Sequence, residues 1–377
     1  MQKEKIIQEL EELKNDNRFR TIKTNDKSLY NFSSNDYLGL AHDKDLLQKF
    51  YQNYSFDNYK LSSSSSRLID GSYLTVMRLE KKVEEIYGKP CLVFNSGFDA
   101  NSSVIETFFD KKSLIITDRL NHASIYEGCI NSRAKILRYK HLDVSALEKL
   151  LKKYSEDYDD ILVVTETVYS MDGDCAEIKK ICDLKDKYNF NLMVDEAHSY
   201  GVYGYGIAYN EKLVDKIDFL VIPLGKAGAS VGAYVICDEI YKNYLINKSK
   251  KFIYSTALPP VNNLWNLFVL ENLINFQDRI EKFQELVTFS LSTLKKLNLK
   301  TKSTSHIISI IIGDNLNTVN LSNNLKELGY LAYAIKEPTV PKDTARLRIS
   351  LTADMKKEDI ETFFKILKAE MKKIGVI

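Results

Sequence analysis

ILVVTETVYSMDGDCAEIKKICDLKDKYNFNLMVDEAH, residues 161–198, holds one complete strand–helix–strand unit. Ile161–Glu166 and Asn191–Asp195 are short apolar runs without polar alternation, the pattern of strands buried on both faces of a parallel sheet. Between them, Ala176–Tyr188 places Ile178, Ile181, Cys182 and Leu184 at helical spacing. Outward from this unit the same kind of run recurs at Cys91–Phe94, Leu114–Thr117, Lys135–Leu137, Phe219–Ile222 and Ala233–Cys237. Strands alternating with helices over residues 91–237 predict an α/β fold with a doubly wound, mainly parallel sheet. In such sheets a ligand sits beyond the carboxyl ends of the strands.

Beyond residue 260 the pattern changes. A long helical stretch, Asn262–Lys296, is followed by strand candidates His306–Ile312 and Leu347–Leu351 and helices near Asn317–Leu328 and Lys356–Lys372, which predicts a smaller C-terminal α+β domain. The expected division is an N-terminal helix and arm over 1–40, a large α/β domain over 41–265, and the small domain over 266–377. The serine run Ser62–Ser66, ahead of Arg67, Gly71 and a helix over Tyr73–Tyr87, reads as a short ordered loop rather than a linker.

The 377 residues carry 53 basic and 51 acidic side chains, a net charge of +2, so nothing draws the chain toward nucleic acid. No apolar run reaches the roughly 18 residues of a membrane span, and the charged N-terminal pattern MQKEKIIQELEELKND lacks the apolar core of a secretory signal. Cys91, Cys129, Cys175, Cys182 and Cys237 form no C-x-x-C pair and are odd in number, which predicts reduced thiols in a cytoplasmic protein. The five histidines show no metal-binding spacing, so no metal is expected.

Four segments hold candidate chemistry. Asp195 ends a strand, with His198 in the following loop; an acid there can meet a ring nitrogen, or can simply cap a helix or pair with a base. Lys226 sits between Gly225 and Ala227 after a core strand; small neighbours leave room to desolvate it and make it nucleophilic, and a solvated surface lysine has the same signature. The sequence around it is not a phosphate loop, since Ala227 follows the lysine. Asn95-Ser96-Gly97-Phe98 opens a helix and offers free N–H groups to a phosphate, or serves as an ordinary N-cap. His122, Arg346 and Arg348 carry no decisive local signal of their own.

Taken in order along nearly the whole chain, these segments resemble the α-oxoamine synthase family of pyridoxal-phosphate enzymes. The matching stretches are NFSSNDYLGLA (31–41), 66–71, 94–101, 118–124, TETVYSMDGD (165–174), LMVDEAHSYG (192–201), 225–228, IYSTALPP (253–260) and IKEPTVPKDTARLRISLTA (335–353). The last of these is most similar to the member of the family that serves biotin biosynthesis. The resemblance implies an aspartate-aminotransferase-like (fold type I) architecture with pyridoxal 5'-phosphate held covalently by Lys226, which also acts as the base. It implies that Asp195 pairs with the ring nitrogen, that His198 and Ser170 meet the ring oxygen, and that His122 stacks on the ring. The phosphate is received by Ser96, Gly97 and Phe98, with Ser255 and Thr256 contributed by a partner subunit, so a homodimer with shared active sites is implied. Asn35 and Arg348 are implied to grip the amino-acid carboxylate, and Arg18, Lys336 and Thr339 join them as substrate contacts. The implied reaction condenses L-alanine with a pimeloyl thioester, of coenzyme A or an acyl carrier protein, and releases carbon dioxide and the free thiol.

Three positions depart from the family pattern. Pro223 stands where relatives often have a threonine, Lys336 where the biotin-pathway relatives usually have arginine, and Ser62–Arg67 replaces a glycine-rich loop. Other readings compatible with the residues are an acyl transfer to glycine or serine, an aminotransferase, and a binding protein that keeps the fold without turnover.

Overall fold

The computed structural model describes residues 2–22, 24, 26, 28–55 and 60–377. They divide into two compact units. The larger comprises 36–169 and 175–281; the other comprises 1–35, 170–174 and 282–377.

Among the described residues of the larger unit, seven strands form one sheet: β1 (Cys91–Phe94), β2 (Leu114–Asp118), β3 (Lys135–Tyr139), β4 (Ile161–Glu166), β5 (Asn191–Asp195), β6 (Phe219–Pro223) and β7 (Ala233–Ile236), in the order β1-β7-β6-β5-β4-β2-β3. Every neighbouring pair is parallel except the two that β7 makes with β1 and β6. The mainly parallel sheet expected from the apolar runs is therefore present, with β7 its one reversed strand. Burial explains the sequence pattern: every residue of β1, β2, β4 and β7 is buried, so neither face selects polar side chains. Leu92, Phe94, Val104, Ile125, Met193, Val221 and Val235 meet in one core, and each large side chain so buried contributes about 1.5–3 kcal/mol.

Two helices matter for the site, α1 (Gly97–Phe108) after β1 and α2 (Ala123–Ser132) after β2. They pack against each other at Gly128, where an added Cβ would lie 2.9 Å from the Cα of Ser102. Only a residue without a side chain permits that approach.

The serine run is an ordered loop. Ser63 is buried and its hydroxyl donates to the Leu258 carbonyl at 2.6 Å, while the Ala257 amide donates to the Ser65 carbonyl at 2.9 Å. Arg67 then grips Glu80 with two guanidinium nitrogens, at 2.7 and 3.0 Å. One of the serines, Ser64, takes the left-handed backbone conformation that glycine enters more easily (φ 54°).

In the other unit, β8 (Ile307–Gly313), β9 (Tyr333–Ile335) and β10 (Ala345–Ser350) form an antiparallel sheet in the order β9-β10-β8. Tyr30–Asn31 pairs with Tyr330–Leu331, and Phe32 stacks on Phe363 of the C-terminal helix Lys357–Lys373, with ring centroids 3.9 Å apart. The larger unit runs on to Glu281, beyond the boundary expected at 265, because helix Pro260–Asn272 packs on helix Leu74–Tyr87 within it. The first 35 residues and the short segment 170–174 fall with the C-terminal residues instead of forming an arm or staying with the sheet. The long helical stretch over Asn262–Lys296 resolves into two helices, Pro260–Asn272 and Gln277–Lys296, joined by a 3-10 turn. No helix among the described residues is long and apolar enough to cross a membrane.

Candidate active site

The carboxyl edge of the large sheet gathers the sequence-predicted residues of the larger unit. Asp195, the last residue of β5, is 3% exposed. The Asn101 side chain donates to its Oδ2 at 2.6 Å, and the Ala197 amide donates to its Oδ1 at 2.7 Å. The two N–H donors, one on each oxygen, fix the orientation of the buried carboxyl group. Asn101 lies one turn into α1 and also donates to the Ser124 hydroxyl at 3.0 Å, so both site helices are tied to the acid.

His122 is the N-cap of α2, and its Nδ1 is hydrogen bonded to the Ser124 hydroxyl at 2.8 Å. Its backbone N–H donates to Glu166 Oε1 at 2.5 Å. The turn before it is fastened by Asn121, which donates to Thr117 Oγ1 at 2.7 Å and to the Val164 carbonyl at 2.9 Å. Asp118 accepts from the Leu120 and Leu142 amides at 2.8 and 2.9 Å and pairs with His141 at 2.9 Å. His198 is 4% exposed, and its Nδ1 shares a 2.6 Å hydrogen bond with the Tyr37 hydroxyl. Next to Asp195, burial pushes the carboxyl of Glu196 up to about 8, against the opposing hydrogen bond from the Ala208 amide.

Lys226 is half-buried in a turn closed by bonds from the Ala229 amide to its own carbonyl at 2.9 Å and from the Ser230 amide to the Leu224 carbonyl at 3.2 Å. Its cationic amine and the Asp195 carboxylate both act electrostatically on His122 and on Glu166, which brings the four groups into one cluster.

Ser96 is the N-cap of α1: its hydroxyl accepts from the Asp99 amide at 3.0 Å. The cap and the phosphate clasp are thus compatible readings, because capping occupies the Ser96 side chain and leaves the first backbone amides of α1 without intrahelical acceptors. Gly97 is required there, since an added Cβ would meet the Pro223 ring at 2.6 Å. The Pro223 ring therefore packs against the start of α1. Phe98 is 41% exposed. Thr256 is exposed and Ser255 partly so; the Asn95 side chain donates to the Thr256 carbonyl at 2.6 Å.

The other unit holds the remaining sequence-predicted residues. Arg348, 8% exposed, donates from Nε to the Ser170 carbonyl at 2.6 Å, and from Nη1 to Asn35 Oδ1 at 3.1 Å and to the Ser350 hydroxyl at 2.7 Å. The structure thus joins Asn35, Ser170 and Arg348, although they are far apart in sequence. Arg346 pairs with Asp172 at 2.6 Å. Arg18 pairs with Asp16 at 2.7 Å, Lys336 donates to the Asn17 carbonyl, and Thr339 accepts from Arg20 at 3.0 Å.

Sequence reasoning did not single out Asn101, Glu166, Tyr37 or Arg20. The first three do lie inside the stretches that carried the family resemblance, which was the available signal. Arg20 gave none.

A strand edge with a buried carboxyl group, a lysine in a hydrogen-bonded turn and a helix opening at Gly97 suit a ring that carries both a basic nitrogen and a phosphate. The family model described as aminotransferase class I and II matches residues 27–367. A Pasteurella multocida protein with the provisional name 8-amino-7-oxononanoate synthase is 40% identical over 96% of this chain and 97% of its own length. One of the same provisional name from Glaesserella parasuis is 42% identical over 89% of this chain and 90% of its own. Among solved structures, 8-amino-7-oxononanoate synthase from Francisella tularensis superimposes with a TM-score of 0.79 at 29% identity, covering 93% of this chain and 99% of that one. A lysine-to-alanine variant of serine palmitoyltransferase from S. paucimobilis, with a pyridoxal phosphate–myriocin adduct bound, gives 0.89 at 25% identity, covering 99% and 98%. The fold is accordingly that of the type I pyridoxal-phosphate enzymes, and the chain belongs to the α-oxoamine synthase family of pyridoxal-phosphate-dependent transferases.

Proposed function

We propose that this enzyme condenses L-alanine with a pimeloyl thioester, of coenzyme A or an acyl carrier protein, to give 8-amino-7-oxononanoate, carbon dioxide and the free thiol, in biotin biosynthesis. The observation that carries the reading is the 40% identity running through 96% of the chain to a relative provisionally named for that reaction.

Bound pyridoxal phosphate supplies an electron-accepting ring that stabilises negative charge at the amino acid's α-carbon. The protein's own groups do the rest. Lys226 holds the cofactor covalently and takes the α-proton. Asp195, oriented by its two N–H donors, pairs with the ring nitrogen. His122 lies against the ring face. His198, oriented through Tyr37, and Ser170 meet the ring oxygen. The amides at Ser96, Gly97 and Phe98 hold the phosphate. Arg348 and Asn35 receive the amino-acid carboxylate, a two-oxygen group that a guanidinium matches well. Arg18, Lys336 and Thr339 contact the acyl chain.

The protein acts in the cytoplasm as a homodimer in which Ser255 and Thr256 reach the partner's phosphate site. Support comes from the exposed apolar side chains of Leu68, Ile69, Leu74 and Met77, at 51, 84, 76 and 54% exposure, which follow the Ser66–Thr256 bridge. The test is product identification by mass spectrometry after incubation with alanine and pimeloyl thioester. Faster turnover of glycine with acetyl-CoA, or of serine with a long-chain thioester, overturns the substrate assignment. The serine arm is included because of the close superposition with serine palmitoyltransferase.

A further inference from the structure

Glu166 ends β4, and the parallel register pairs it directly with Asp195, the last residue of β5. Paired residues on neighbouring strands project from the same face, with the strands about 4.8 Å apart. Each of the two is 3% exposed. Two carboxyl groups so placed oppose each other's ionisation, so one of them is the more easily protonated.

The donors around them decide which. Asp195 receives an N–H on each oxygen, from Asn101 and Ala197. Glu166 receives the backbone N–H of His122 on Oε1. The other charged and titratable groups acting on Glu166 are the Lys226 amine from the turn after β6, Asp118 at the end of β2, and Tyr169 beyond its own strand. Lys226 favours the charged form; Asp118 and Asp195 oppose it. Burial is the largest influence, and the balance holds the Glu166 carboxyl well above the ordinary range.

We propose that Glu166 is a positioning residue: its carboxyl, neutral beside an anionic Asp195, fastens the His122 turn at the site and leaves Asp195 the one anion offered to the cofactor ring. This rests on the reading that Asp195 pairs with the ring nitrogen. A third acid in the pocket thereby serves as an uncharged acceptor for a backbone amide, and does not compete with Asp195 for the cation.

The test compares Glu166→Gln, Glu166→Ala and Asp195→Asn as holoenzymes. The readouts are the pH midpoint of the visible cofactor band and the dissociation constant of pyridoxal phosphate. Gln keeps an acceptor for the His122 amide and mimics the neutral acid. It is expected to leave the midpoint within about 0.3 pH unit of wild type, whereas Ala weakens cofactor binding by about tenfold, the equivalent of one lost hydrogen bond of about 1.4 kcal/mol. A midpoint lowered by a full unit in Glu166→Gln means that an anion has been removed beside the amine, and overturns the proposal. Equal losses of affinity in Gln and Ala overturn it too. If the Ala variant does not fold, the Gln midpoint decides alone. The underlying reading fails separately: in that case Asp195→Asn leaves both readouts at wild-type values.

Discussion

Replacing Asn101 with alanine tests the electrostatics of the site most directly. Asn101 is fully buried and its amide lies 2.6 Å from Asp195 Oδ2, a short contact for an N–H donor on oxygen. The second donor, the Ala197 amide at 2.7 Å, remains in the variant. A hydrogen bond to a charged group contributes roughly 1.5–3 kcal/mol, and its loss weakens the carboxylate that the ring nitrogen would meet by that amount. Where the ring nitrogen pairs with the anion, cofactor affinity falls by about 10- to 100-fold. The assay titrates apoenzyme with pyridoxal phosphate from pH 6 to pH 9 and follows the visible band. Because Asn101 also donates to Ser124, thermal unfolding of the apoenzyme is recorded alongside, to separate lost packing from lost charge stabilisation. A dissociation constant within twofold of wild type across that range would refute the reasoning.

Lys226→Ala should lose the visible band on dialysis, and a band that survives rules out this lysine as the attachment point. Arg348→Lys should raise KM for the amino acid by about tenfold or more with a smaller change in kcat, since an ammonium cannot reproduce the fork that meets Asn35 and Ser170; an unchanged KM counts against the carboxylate role. Glu196 has a carboxyl raised from 4.5 to about 8, so its contribution to stability is complete at low pH and is lost as pH rises toward 8. Glu196→Gln should therefore flatten the fall of Tm over that window, by at most about 1.4 kcal/mol per pH unit, and parallel profiles for the two proteins would show the carboxyl to be ordinary. Gly128→Ala should destabilise the fold by about 1–3 kcal/mol through forced separation of α1 and α2, measured by urea unfolding.

The strands of the large sheet were legible because burial on both faces writes itself as uninterrupted apolar runs. Asp195 and Lys226 were legible as positions, at strand ends where the fold class places ligands, although local sequence alone left each with an ordinary alternative. The bonds that give them character were not legible. Asn101 meets Asp195 across 94 residues and Tyr37 meets His198 across 161, and no periodicity reports a contact of that range. The three-residue strand Tyr333–Ile335 is too short to show a pattern. The boundary near 265 was misplaced because helix Pro260–Asn272 belongs with the helix it packs on, which its amphipathicity does not reveal. Ser64 shows that a serine run can follow a backbone path suited to glycine, with one residue accepting the left-handed conformation.

The close approach of Gly128 to Ser102 acts as a built-in spacer bar. One of the two helices begins at Gly97, where the phosphate is proposed to bind, and the other is capped by His122, so the distance at which they touch sets the spacing between those two points. That spacing is then governed by a residue at neither end of it, and a single methyl group at this point would detune the gauge without changing any side chain proposed to bind.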